Sequence, residues 1–244
     1  MTSARRADRI ICAIDTADLE AACSLSAALA GSVGAVKLGL EFFAAHGPDG
    51  VRAVAGRGLP VFLDLKLHDI PNTVAGAVRM ALHSAPMMLT VHASGGAAMM
   101  RAAAAAALRV AEGAGLHERP KLLAVTVLTS FDDSDLAAVG MHGPLGDQVQ
   151  RLAALAQACG MDGVVASAHE VAALRRQCGA DFTLVVPGIR PGWASADDQK
   201  RIVTPSEALR LGADYLDVGR PITRADDPAA AAARIADELA QVAA

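Results

Sequence analysis

Aromatic residues are nearly absent from this chain: one Trp, one Tyr and five Phe in 244 residues. Such scarcity argues against a ligand held by stacked rings. Long apolar runs are missing too, and none approaches the roughly 18 residues of a membrane span. Charge of one sign does not dominate. A formal net charge of −4 speaks against a general binder of nucleic acid or of anionic membrane surfaces. Cysteine is sparse, and Cys12, Cys23, Cys159 and Cys178 form no C-x-x-C pair. Free thiols in a reducing cytoplasm are the expected reading, not a disulfide frame. The apolar stretch at residues 10–14 is too short for a signal-peptide core. A cytoplasmic protein is expected, with residues 1–8 as a flexible N-terminal tail.

What the chain does have is a rhythm. Short runs rich in Val, Ile and Leu recur at residues 9–14, 35–40, 60–66, 87–92, 121–127, 163–167, 182–187 and 215–219. Near-continuous apolar strands suit a sheet buried on both faces. Ala- and Leu-rich helical stretches follow each run. Thr16 and Asp18 can cap the first helix, and Gly31 can end it. Pro71 suits the start of the third, Gly95 and Gly96 precede the fourth, and Pro205 opens one that stops at Gly212. The last begins near Asp227 and Pro228. Eight βα units without a composition break predict an α/β fold, a single (β/α)8 TIM barrel spanning residues 1–244. An open doubly wound sheet is the alternative, but no G-x-G-x-x-G follows the first strand. Two connections are long. Residues 188–204 include Trp193 and the polar stretch from Ser195 to Lys200, a length typical of lids. Residues 129–144 leave room for a short helix.

Barrel enzymes carry their active sites at the C-terminal ends of the strands. Those positions hold Asp15, Lys37, Asp64, Lys66, His92, Thr129, Ser130, Gly188, Arg190, Gly219 and Arg220. One charged residue there could be a rim ion pair; the whole set points to a site. In Phe62-Leu-Asp-Leu-Lys-Leu-His-Asp-Ile-Pro-Asn-Thr73, Asp64 and Lys66 lie two apart and so share a strand face. Leu63, Leu65 and Leu67 take the helix side. Asp69 follows in the loop. A lysine held among carboxylates stays protonated and can donate a proton. Gly219-Arg220-Pro221, after the eighth strand, suits phosphate: close backbone approach, a planar guanidinium fork and a short helix start. Arg190 and Gln199 lie in the preceding loop and could close over it. No histidine pair has H-x-x-x-H spacing, so no metal site is expected. His68 and His92 read as hydrogen-bonded histidines near the mouth.

The segment Asp64-Leu-Lys-Leu-His-Asp-Ile-Pro-Asn-Thr73 resembles the signature of the orotidine 5′-phosphate decarboxylase family. Ala13-Ile-Asp15, Lys37-Leu-Gly39, Val91-His-Ala-Ser-Gly-Gly96 and Val125-Thr-Val-Leu-Thr-Ser130 extend the likeness. Pro187-Gly-Ile-Arg-Pro191, Asp198-Gln199 and Val218-Gly-Arg-Pro221 continue it, in family order. The resemblance implies a cofactor-free, metal-free decarboxylation of orotidine 5′-monophosphate. Lys66 would protonate C6, and Asp64 would sit beside the substrate carboxylate. Lys37 and Asp69 would complete an alternating charge array. Asp69, Ile70 and Thr73 would reach into a neighbouring subunit's site, making the active form a homodimer. Asp15 and Lys37 would bind ribose hydroxyls, and Thr129 and Ser130 would lie near the pyrimidine. Pro187, Arg190, Gln199, Gly219 and Arg220 would line the phosphate side. The same barrel superfamily includes Mg2+-dependent sugar-phosphate decarboxylases and aldolases, which would carry an acidic ligand on strand 2, where this chain has Lys37. A non-catalytic nucleotide-binding barrel could dispense with Lys66 or Asp64; this chain keeps both.

Overall fold

A computed structural model describes residues 6–114, 119–194 and 203–241. Eight parallel strands close into a barrel in chain order. They are β1 (Ile10–Ile14), β2 (Ala35–Leu38), β3 (Val61–Leu67), β4 (Met88–His92), β5 (Lys121–Val125), β6 (Gly163–Val165), β7 (Thr183–Val186) and β8 (Tyr215–Val218). Each coincides with an expected segment, with β3 running one residue past its expected end. The doubly wound alternative is excluded because β1 pairs with both β2 and β8, which leaves no sheet edge.

Helices pack outside the sheet: α1 (Leu19–Ala28), α2 (Leu40–Ala55), α3 (Pro71–Leu82), α4 (Gly96–Gly113), α5 (Asp133–Ala138), α6 (Leu145–Ala158), α7 (Ala168–Cys178), α8 (Pro205–Leu211), α9 (Arg220–Thr223) and α10 (Pro228–Ala240). Their boundaries follow local chemistry. The Asp18 carboxylate accepts from the Ala21 N–H and starts α1, and Asp227 does the same for α10 through Ala230. Pro71 and Pro205 open α3 and α8, where a missing N–H costs nothing. Gly212 ends α8 with φ 109°, a left-handed turn that a side chain would strain. The connection at residues 129–144 contains α5, opened by a capping box between Asp132 and Asp135.

Alternation along each strand splits the core in two. Ile10, Cys12 and Ile14 of β1, with Leu63 and Leu65 of β3, join the large apolar layer between sheet and helices. Ile11, Ala35, Phe62, Met88, Leu123 and Val185 point the other way and form a separate plug inside the barrel. Above that plug, toward the strand C-termini, the interior turns polar.

Two expectations need adjustment. Arg6 to Asp8 are not tail: Ala7 is buried, the Arg9 N–H donates to the Arg6 carbonyl, and Asp8 lies so close to Gly34 that a Cβ there would stand 2.2 Å from the Asp8 carbonyl. Residues 1–5 lie outside the described residues. The long connection after β7 is pinned at its base by an Ile189–Val203 bridge and an Arg190 N–H to Val203 carbonyl bond of 3.1 Å. Trp193 lies under the Arg234 guanidinium of α10 at 4.6 Å. Gln199, and with it the polar stretch from Ser195 to Lys200, lies outside the described residues. No helix among the described residues is long and apolar enough to cross a membrane.

Candidate active site

Strand β3 supplies the centre. Asp64 is buried, and its Oδ2 accepts from the Lys66 Nζ at 2.6 Å. The two side chains therefore meet as the two-residue spacing predicts, but the strand between them is not regular. Register with β4 shifts between Leu63 and Leu67, and Lys66 has φ 49°, in the left-handed region. A non-glycine residue there is strained, and such strain collects at functional sites when surrounding contacts enforce it. Thr90 of β4 is the enforcing contact. Its hydroxyl accepts from the Lys66 backbone N–H at 2.8 Å and donates to Asp64 Oδ1 at 2.8 Å. One side chain thus holds both the backbone of Lys66 and the carboxylate that its ammonium touches.

Lys37 of β2 stands on the other side of Asp64, with Nζ 3.8 Å from the same Oδ2. Its shorter contact is elsewhere: Asp217 of β8 accepts from it at 2.6 Å. Burial by itself would push the Lys37 ammonium down. Asp217 and Asp64, with a smaller contribution from Asp15, outweigh that and hold it above the ordinary lysine value. The result is an alternating chain, Asp217–Lys37–Asp64–Lys66, laid across three strands at the barrel mouth.

Beside this chain lies a cavity of about 150 Å³ lined by Ala13, Asp15, Lys37, Pro187, Gly188, Arg190, Asp217, Gly219 and Arg220. Arg190 is 5 % exposed, and its guanidinium donates to the Ile189 carbonyl at 3.1 Å. A second cavity of about 180 Å³ is mostly apolar and includes His92, Ser94, Thr126 and Phe131. Thr129 and Ser130 are exposed just beyond the strand end that lines it. His92 is a hydrogen-bonded histidine, with Nδ1 2.8 Å from the Ser94 hydroxyl and its ring stacked on His68 at 5.4 Å. Burial, then His68 and Lys66, lower its pKa. A larger hollow, about 480 Å³, opens at the opposite end among Asp8, Arg9, Lys121 and Tyr215. That face of a barrel bears on stability.

Of the residues singled out in the sequence, Asp15, Lys37, Asp64, Lys66, Pro187, Arg190, Gly219 and Arg220 gather at the mouth. Asp69, Ile70 and Thr73 do not join them within this chain. All three are exposed; the Asp69 carboxylate accepts from the Ile70 N–H at 2.5 Å and makes no ion pair among the described residues. The Asp69 place in the alternating chain is not filled from this chain, and Asp217 ends it on the Lys37 side. Asp217 and Thr90 are the residues that the sequence reading missed. Each is a polar side chain inside an apolar strand, two positions from a strand end already singled out, so the i, i+2 rule applied to every strand would have found both. Among the described residues no group of three or more His, Cys, Asp or Glu could hold a metal ion.

Residues 8–235 match the family model described as orotidine 5′-phosphate decarboxylase / HUMPS family. A Rhodospirillum rubrum protein named orotidine 5′-phosphate decarboxylase is 56% identical over 231 residues, covering 94% of this chain and 93% of that one. One of the same name from Paramagnetospirillum magneticum is 54% identical over 227 residues, covering 93% and 96%. The crystal structure of orotidine 5′-phosphate decarboxylase from Lactobacillus acidophilus superposes with TM-score 0.81 at 38% identity, covering 94% of this chain and 98% of that one. Family model, sequence relatives and fold agree over nearly the whole length, and the chain belongs to the orotidine 5′-phosphate decarboxylase / HUMPS family.

Proposed function

We propose that the chain decarboxylates orotidine 5′-monophosphate to uridine 5′-monophosphate and CO2, the last step of de novo UMP synthesis, without metal or cofactor. The observation that carries this reading is the Lys66 ammonium held 2.6 Å from Asp64 at the end of β3, in a chain whose 50–56% identical relatives bear that enzyme's name. The reaction breaks the bond from C6 to the carboxylate carbon. The electron pair stays on C6, CO2 leaves, and a proton moves from Lys66 Nζ to C6. No ring position delocalises that pair, so the site has to stabilise it by charge already in place. A fixed ammonium does this without reorganising at the moment of reaction. Asp64, beside the departing carboxylate, disfavours the bound ground state.

The cavity beside the array suits the rest of the nucleotide. Asp15 and Lys37 offer an acceptor and a donor to the ribose hydroxyls. Arg190, Arg220 and the Gly219 backbone, with Pro187 behind them and Gln199 from the loop, take the phosphate, for which a guanidinium fork is well shaped. Thr129 and Ser130 face the pyrimidine side. The exposed Asp69, Ile70 and Thr73 serve the partner's site in a homodimer; Ile70, 66 % exposed, is an apolar side chain that such an interface would cover. A Mg2+-dependent sugar-phosphate chemistry finds less support, because Lys37 puts a cation where that dication would sit.

The test follows ultraviolet absorbance of orotidine 5′-monophosphate with and without EDTA, beside a Lys66→Ala variant. Turnover that survives EDTA and disappears in the variant is the expected result. No turnover by folded wild type, followed by turnover of a pentulose or hexulose phosphate with Mg2+, would overturn the reading. Dimerisation is tested separately by sedimentation: Ile70→Asp is expected to shift dimer to monomer.

A further inference from the structure

Asp217 is a costly residue where it stands. It sits in the middle of β8, 7 % exposed, and its Oδ1 is buried without a hydrogen bond among the described residues. An apolar side chain would fill that barrel position more cheaply, since a buried ion pair is weak evidence for stability. The cost coincides with a specific contact: Asp217 Oδ2, and not Asp64, is the nearest carboxylate oxygen to the Lys37 ammonium, 2.6 Å against 3.8 Å.

We propose that Asp217 is a positioning residue for the reaction, which draws the Lys37 ammonium toward β8 and leaves the short contact to Asp64 Oδ2 for Lys66. The inference rests on the decarboxylase reading given above. Two ammonium groups approach one carboxylate oxygen, and attraction rises as distance falls. With Asp217 neutral, the carboxylate of Asp64 becomes the strongest partner left to Lys37. The two lysines then compete for one Oδ2, and Lys66 loses its defined place. Asp217 also acts on charge. The groups that face Lys37 are Asp15 at the end of β1, Asp64 and Lys66 from β3, Asp217 from β8, and Arg190 and Arg220 across the cavity, with the Cys12 thiol behind it on the helix side of β1. Removing one carboxylate from this set leaves burial, which opposes the ammonium form, less opposed. Burial, with Asp64 and Asp15, pushes Asp217 up, and the Lys37 ammonium at 2.6 Å opposes that rise.

The experiment replaces Asp217 by Asn, which keeps the shape and removes the charge, with Asp217→Ser as a second neutral variant. The chain has only four lysines, Lys37, Lys66, Lys121 and Lys200, so 13C-labelled lysine reports each titration by NMR. In wild type, Lys37 is expected not to titrate up to about pH 11, above the ordinary value of about 10.4. In the variants its midpoint should fall by about 1–3 pH units, and the alkaline fall of kcat/KM should begin at a lower pH than in wild type. At neutral pH kcat is expected to fall by about tenfold or more, with a smaller change in KM. An unchanged Lys37 titration would overturn the proposal, whether activity is kept or is lost equally at every pH. Failure of both variants to fold would make Asp217 a structural residue and overturn it too. A wild type that does not decarboxylate would sink the decarboxylase reading instead, because the titration reads the Asp217–Lys37 pair directly.

Discussion

The same strands build two opposite interiors one step apart. Inside the barrel, β1, β2, β3, β4 and β5 place Ile11, Ala35, Phe62, Met88 and Leu123 in a dry plug. Two residues further along, facing the same way, they place Ala13, Lys37, Asp64, Thr90 and Val125. Strand β8 makes the change within itself, from Tyr215, packed against the plug, to Asp217. Burial is nearly as complete in the upper layer, where Asp64 and Asp217 are each 7 % exposed and Thr90 is fully buried. The layers differ in what burial does. In the plug it stabilises each large apolar side chain by roughly 1.5–3 kcal/mol. In the upper layer it costs free energy, offset only by partners: an ammonium for each carboxylate and one threonine bridging strand to strand. The lesson is that a barrel can keep charges at its mouth because the layer beneath has no polar groups to satisfy.

The division predicts effects that separate by layer. The largest falls on the upper layer and on chemistry alone. Lys66→Ala should lower kcat by about 10⁴-fold, near 5.5 kcal/mol of transition-state stabilisation, with the melting temperature changed little. A variant that keeps its turnover would erase the difference between the layers. Phe62→Ala should do the reverse. Urea unfolding should show a loss of about 3–5 kcal/mol, while protein still folded keeps kcat. Next comes the remote end of the substrate. Orotidine without its phosphate should turn over about 10²-fold more slowly at saturation, because binding energy from the phosphate cavity holds the ring against the array. Equal kcat for both substrates would show that the array needs no such help.

Thr90→Val belongs to both layers and sharpens the boundary between them. It keeps the shape of a β4 residue above Met88 but leaves Asp64 Oδ1 without its donor and the Lys66 N–H without its acceptor. A stability loss of about 1–3 kcal/mol should accompany a fall in kcat. A loss of stability with kcat intact would move Thr90 into the structural layer. The smallest effect is the acid limb of stability. Burial lowers the His92 pKa below its unfolded value near 6.5, so the unfolded chain binds more protons between the two values. Stability is therefore fully present above about pH 6.5 and declines as pH falls through the folded value. His92→Gln should flatten that decline in pH-dependent melting curves.

Much of this was legible beforehand, for a local reason. Strand and helix signals act within a few residues: Asp18, Pro71, Pro205, Gly212 and Asp227 each do at their own helix end what their chemistry predicts. The β3 segment was legible because its functional residues are neighbours in the chain. Nothing within residues 6–8 marks them as packed, because the Asp8 backbone meets Gly34, at the start of another strand.

What the residues alone determined is the alternation of eight apolar strands with helices, and the presence of Asp64, Lys66, Lys37 and Arg220 at strand ends. Which carboxylate each lysine takes was decided only by closure of the barrel. Register between β8, β1 and β2 carries Asp217 to Lys37, 180 positions away, and no periodicity within one strand encodes a distance across three. The same holds for the left-handed turn at Lys66. Nothing in Leu65-Lys66-Leu67 asks for it; the β3–β4 register shift and the Thr90 hydroxyl impose it from outside, because a backbone strain can persist only where neighbouring strands over-determine the position.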